Sequence, residues 1–193
     1  MKGFNKTRGI VLRKIHYGDN DAVVTFLTEE GGRLSGFAKG EAVSQKRFGG
    51  ALDLFNQVSL VGQKKKEEML WLSSAELVEA YTFIRSDLTK FATACYFTEL
   101  ILSFLHENEA LGPLYQIFSI FLKELNQDSH FCPQLIPLME HQLLSLFGYK
   151  PELSLCVGCQ MTLHPKKEYF FYGPKGGVVC SNCAPFETPY PLN

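Results

Sequence analysis

At 193 residues, with 46% hydrophobic and 20% charged residues, the chain has room for one large globular domain or two small ones and lacks the bias of a disordered or fibrous protein. Its net charge of −1 excludes a uniformly basic protein but hides an asymmetry: residues 1–47 hold nine Lys/Arg against five Asp/Glu, whereas residues 80–193 hold seven against ten. No apolar leader follows Met1, and the longest apolar run, Phe91 to Leu105, carries Glu99 and is too short to span a bilayer, so neither secretion nor a membrane is expected and a cytoplasmic location is.

Gly9 to Ile15 predicts a first strand, closed by the turn formers Tyr17-Gly-Asp-Asn-Asp21. Asp19 and Asp21 are not a calcium loop, because the glycine and distal glutamate of that motif are missing. Ala22–Thr28 and Arg33–Ala38 flank Glu29-Glu-Gly-Gly32 and predict a hairpin. A loop from Lys39 to Gly50 follows, then strands over Leu54–Val61 and Met69–Ser74, joined by Gln63-Lys-Lys-Lys-Glu-Glu68. Five strands in about eighty residues predict a small barrel, either of the oligonucleotide-binding (OB) type or SH3-like. The Lys64–Lys66 run is followed at once by Glu67 and Glu68 and reads as a solvated hairpin tip. Arg13, Lys14, Arg33, Lys39, Lys46 and Arg47 flank the strands and the long loop, and are the candidates for holding phosphates. Phe37 and Phe48 are candidates for stacking on bases or for the core.

Past residue 80 the apolar period lengthens to three or four. Ser86 is placed to cap a helix with Leu88, Phe91, Cys95, Leu102 and Leu105 on its apolar face. Gly112-Pro113 opens a second, with Leu114, Ile117, Phe118, Phe121 and Leu125. A third runs from Pro133 through Leu135, Leu138, Met139, Leu143 and Leu146 to Gly148. His106 and His141 have no partner in sequence that would make them ligands or catalysts.

Cys156-Val-Gly-Cys159 and Cys180-Ser-Asn-Cys183 are two CxxC pairs about twenty residues apart. Each pair can grip one ion from a tight turn, and together they complete the tetrahedral shell of a structural zinc site. Between them Glu168–Tyr172 is β-prone and Gly173–Gly177 is a turn, the outline of a zinc ribbon over about residues 153–186. Four thiolates leave no open position, so the zinc is expected to hold structure. Cys95 and Cys132 sit among apolar neighbours as ordinary thiols, and His164 beside Pro165 reads as a surface residue. The signatures GxxxxGK[ST], GxGxxG, GxSxG and HExxH are absent, so the expected activity is not enzymatic. The predicted architecture is α+β: an OB-fold barrel over 1–79, then a helical domain over 80–193 that carries the ribbon.

Val11-Leu-Arg-Lys14, Tyr17-Gly18, Thr25–Thr28, Gly32-Arg-Leu34, Ala38-Lys-Gly40, Gly50-Ala-Leu52 with Phe55, Glu76-Leu77, Leu146–Pro151 and the two cysteine pairs occur in an order that resembles the RecO family of bacterial recombination mediators. The resemblance implies binding of single- and double-stranded DNA, annealing of complementary strands, and work with RecR, RecF and single-stranded DNA-binding protein to load RecA, in the cytoplasm at the nucleoid. Where that family has a basic run after Ala-Lys-Gly, this chain has Glu41-Ala42, leaving Lys46 and Arg47 to supply charge. Two other readings fit the residues alone: a zinc-stabilised adaptor that binds proteins, and an RNA-binding barrel.

Overall fold

The computed structural model describes residues 6–64, 69–128, 130–164, 167–184 and 191–192. Its described part divides into two compact units, residues 1–136 and 137–193. The tip residues Lys65–Glu68, read above as a solvated turn, and the segment 185–190 lie outside the described residues.

In the first unit, strands β1 (Thr7–Tyr17), β2 (Asp21–Thr28), β3 (Gly32–Ala38), β4 (Gln57–Lys64) and β5 (Leu70–Glu79) close into a barrel of order β1-β2-β3-β5-β4. β1 closes it against β4, and β3 meets β5 in parallel over Gly36 and Phe37 alone. That closure is the OB arrangement and sets aside the SH3-like alternative. Alternating side chains such as Val24, Phe26, Val58, Leu60, Leu70 and Leu72 point inward and fill the barrel. The loop after β3 adds Phe48, Ala51 and Leu52 to the same core, so Phe48 is packed and not a surface for bases.

A bulge between Val11 and Arg13 shifts the register of β1 against β2. Simple alternation from buried Val11 would turn Arg13 inward; the bulge resets the parity, and Arg13, Ile15 and Tyr17 face solvent.

Because β3 meets β5 over only two residues, its first half presents a free edge. The segment that follows the second helix covers it: Asn108 N donates to Arg33 O at 2.7 Å, Arg33 N to Glu109 O at 3.3 Å, and Ser35 N to the Glu107 carboxylate at 3.0 Å. The backbones meet so closely at Gly32, which has φ +64°, that a Cβ there would lie 1.7 Å from Glu109 O.

The helices of this unit are α1 (Thr82–Ser86), α2 (Leu88–Phe104) and α3 (Leu114–Leu125). α2 is capped by Asp87, whose carboxylate accepts from Thr89 N and Lys90 N, and not by Ser86. Its buried face is Lys90, Thr93, Ala94, Phe97, Thr98 and Ile101, whereas Leu88 is 83% exposed. The expected apolar stripe is therefore rotated. Lys90 is accommodated because its ammonium donates to Gln127 O at 2.5 Å, and Thr93 because its hydroxyl donates to Thr89 O.

α3 follows its expected pattern, with Leu114, Phe118, Phe121, Leu122 and Leu125 buried and Phe121 packed edge-on against Phe97 of α2 at 4.8 Å. Polar ties bind these helices to the barrel: Gln57 Nε2 donates to the Tyr115 hydroxyl at 2.6 Å, and Arg85 to Asn56 Oδ1 at 2.8 Å and Leu54 O at 3.1 Å.

α4 spans Leu135–Leu146. It ends at Gly148, φ +82°, where Tyr149 N bonds Leu144 O and Gly148 N bonds Ser145 O in a Schellman cap. Leu138, expected on its buried face, is exposed, leaving Met139 and Leu143 as its buried apolar contacts. In the second unit β6 (Tyr169–Tyr172), β7 (Gly177–Cys180) and the two-residue β8 (Pro191–Leu192) form a small sheet of order β7-β6-β8. Among the described residues, no helix is long and apolar enough to cross a membrane.

Candidate metal centre and nucleic-acid interface

The two cysteine pairs sit on matching turns. Gln160 N donates to Cys156 O, and Ala184 N to Cys180 O, so each CxxC folds back on itself and aims both thiols the same way. The β6–β7 hairpin brings the turns together, while Val157 N donates to Val178 O and Val178 N to Glu152 O, tying the first knuckle to β7. Val179, Leu163, Tyr169 and Phe170 pack around the sulfurs.

The four Sγ atoms lie within 4.8 Å of one another, and Cys159 Sγ to Cys180 Sγ is 3.8 Å. A tetrahedron of metal–thiolate bonds of about 2.3 Å has edges of about 3.8 Å. All six cysteines are free thiols. Burial pushes the Cys156 thiol up, but the N–H groups of Cys180, Cys159 and Gly158 aimed at its sulfur outweigh this and bring it down to about 6. Cys183, facing the sulfurs of Cys180 and Cys159, is pushed up to about 12. Four sulfurs this close do not all ionise unaided; a bound cation removes the repulsion. Cys156, Cys159, Cys180 and Cys183 thus form a group that can hold a metal ion, with no position left open for catalysis.

The six cations proposed from sequence fall into two sets. Arg13, Lys39 and Lys46 are exposed on one unit of the fold. The other three have partners inside the protein. Lys14 Nζ lies 2.8 Å from the Glu41 carboxylate and 3.9 Å from that of Asp53. Glu41, which stands where a basic run was expected, is therefore the buried counter-ion of Lys14. Arg33 donates to Leu102 O at 2.9 Å and Leu105 O at 2.8 Å, capping the C-terminal end of α2, where a cation suits both the orphan carbonyls and the helix dipole. Arg47 donates to Lys39 O and Ser44 Oγ and lies 5.0 Å over the Phe48 ring, holding the loop after β3 in shape.

Sequence reasoning missed one feature of this surface. Ile15, Val23, Phe37 and Trp71 are successive cross-strand partners on β1, β2, β3 and β5, and form a row on the outside of the barrel. Phe37 packs edge-on against Trp71 at 5.0 Å and against Tyr17 at 6.0 Å.

A closed five-stranded OB barrel followed by helices and a four-cysteine cluster places the chain in a class of OB-fold proteins with an appended cysteine cluster able to hold a metal ion. The chain belongs to the RecO family: residues 1–81 match the family description Recombination protein O N terminal, and residues 85–191 match Recombination protein O C terminal. It is 35% identical over 185 residues to the DNA repair protein RecO of Anaeromyxobacter sp. (strain Fw109-5), covering 95% of this chain and 72% of the relative. It is 32% identical over 186 residues to that of Syntrophus aciditrophicus (strain SB), covering 96% and 71%, and 35% identical over 190 residues to that of Desulfatibacillum aliphaticivorans, covering 96% and 74%. These relatives are named as DNA repair proteins and not as enzymes.

Proposed function

We propose that the protein is a DNA-binding recombination mediator that anneals complementary strands and helps load RecA onto DNA coated with single-stranded DNA-binding protein, acting with RecR and RecF at the bacterial nucleoid. The observation that carries this reading is an OB barrel, in a chain of the RecO family, with Arg13, Lys39 and Lys46 exposed on it. The role is non-catalytic: cations bring phosphates together, and no nucleotide motif supplies energy. The metal in the cysteine cluster is zinc, because an all-thiolate tetrahedral shell suits that ion and leaves it structural. The division near residue 79/80 is one of labour, with the barrel taking the DNA and the following residues carrying the zinc ribbon.

Binding of a labelled single-stranded oligonucleotide should weaken steeply with salt, because each phosphate neutralised releases condensed counterions. Replacing Arg13, Lys39 and Lys46 by alanine together should flatten the plot of log affinity against log salt by about two units, at roughly 0.7 per phosphate contact on a single strand. Fluorescence anisotropy at several salt concentrations reads this directly. An unchanged slope would place the phosphate contacts elsewhere, and equal affinity for RNA would favour an RNA-binding barrel.

A further inference from the structure

We propose that the aromatic row on the outer face of the barrel, Tyr17, Phe37 and Trp71, is a stacking platform for the unpaired bases of single-stranded DNA. Resting on the reading that the barrel takes DNA, it assigns the base-contacting surface that the cations alone leave open.

The register puts Ile15, Val23, Phe37 and Trp71 side by side across four strands. Trp71 is 42% exposed, Ile15 50% and Tyr17 65%, a cost in apolar exposure that the barrel core does not require. The three rings touch edge to face, with centroids 5.0 and 6.0 Å apart, so each supports its neighbour. Met69, 40% exposed, extends the apolar surface two residues before Trp71.

Charge complementarity identifies the occupant. Arg13 lies two residues from Ile15 on the outward parity of β1, and exposed Lys39 follows Phe37 by two residues as β3 ends. Two carboxylates on these strands and the segment beside them are hydrogen-bonded to backbone: Asp21 accepts from Gly40 N at 2.6 Å, and Glu107 from Ser35 N at 3.0 Å. Rings flanked by available cations match a polynucleotide with exposed base faces and a phosphate backbone. A duplex hides its base faces and cannot use the rings, so the platform also gives a preference for single strands.

Trp71 is the one tryptophan of the chain, and its emission reports contact at this row and nowhere else. The intact protein is titrated with oligothymidylate, with an oligomer of abasic deoxyribose phosphates of the same length, and with duplex DNA, following tryptophan emission and the anisotropy of the labelled oligomer together. Oligothymidylate should quench Trp71 saturably, and the abasic oligomer and the duplex should bind without quenching. Tyr17→Ala and Trp71→Ala should each weaken oligothymidylate binding roughly five- to hundredfold and leave the salt slope unchanged. Oligothymidylate bound with unaltered emission, or abasic and base-bearing oligomers bound equally, would overturn the platform while leaving DNA binding intact. No binding of any oligomer by anisotropy would overturn both. The unmodified protein decides this by itself, whether or not a variant folds.

Discussion

Replacing Cys156 by serine should release the metal and unfold the ribbon while the barrel stays folded. Cys156 is fully buried, receives the Cys180 N–H on its sulfur at 3.3 Å, and packs with Val179 and Cys180 in a core too small to stand alone. A metal ion held by the four thiolates would supply what this core cannot. Structural zinc sites contribute apparent binding free energies of order 10 kcal/mol near neutral pH, and losing one thiolate forfeits most of that. Metal analysis should find about one zinc in the parent protein and none in the variant, and limited proteolysis should cut the variant first within 150–184. Because acid competes with the metal for thiolates, affinity should fall as pH is lowered and not as it is raised. Absence of metal in the parent protein, with two disulfides found by thiol titration, would contradict the assignment.

Gly32→Ala should be the most damaging single methyl in the barrel. Gly32 has φ +64°, where a side chain costs about 1 kcal/mol, and the added Cβ would sit 1.7 Å from the carbonyl oxygen of Glu109. That oxygen belongs to backbone that accepts from Arg33 N, so it cannot swing aside as a side-chain tip would. Displacing it breaks the strap that covers the β3 edge and loosens the grip of Arg33 on Leu102 and Leu105. The expected loss is about 3 kcal/mol or more, read as a lowered denaturation midpoint with the slope preserved. Gly50→Ala is the control: it also has positive φ, but nothing lies within 4 Å of its Cβ, so it should cost only the backbone strain. Equal losses for the two variants would show that the strap is dispensable.

Local signals carried much of this architecture. Alternation and glycine turns located all five strands within a few residues, and CxxC spacing located the metal cluster, because both depend on neighbours close in sequence. The errors arise where distant residues decide. The buried face of α2 carries Lys90 because Gln127 O, 37 residues further on, accepts from its ammonium and satisfies a polar group that a hydrophobic pattern scores as exposed. Arg33 looked like a phosphate contact because its partners, Leu102 O and Leu105 O, lie about seventy residues away. Lys14 and Glu41 likewise become a pair only when the loop after β3 folds back. The aromatic row was hidden for a different reason. Phe37 and Trp71 are far apart in sequence, and the bulge after Val11 reverses the parity that pure alternation assigns to Ile15 and Tyr17.

Arg13, Lys39 and Lys46 are few cations for two strands, so annealing by this chain calls for self-association, a second DNA surface or RecR to hold the other strand. The most direct measurement mixes complementary oligonucleotides, each coated with single-stranded DNA-binding protein and labelled so that pairing changes fluorescence, with this protein in the absence of ATP, with and without RecR. The mediator account predicts pairing faster than in the protein-free control, and a loss of that acceleration when Arg13, Lys39 and Lys46 are replaced. Pairing no faster than the control in both conditions would contradict it and leave the barrel as a protein-binding adaptor.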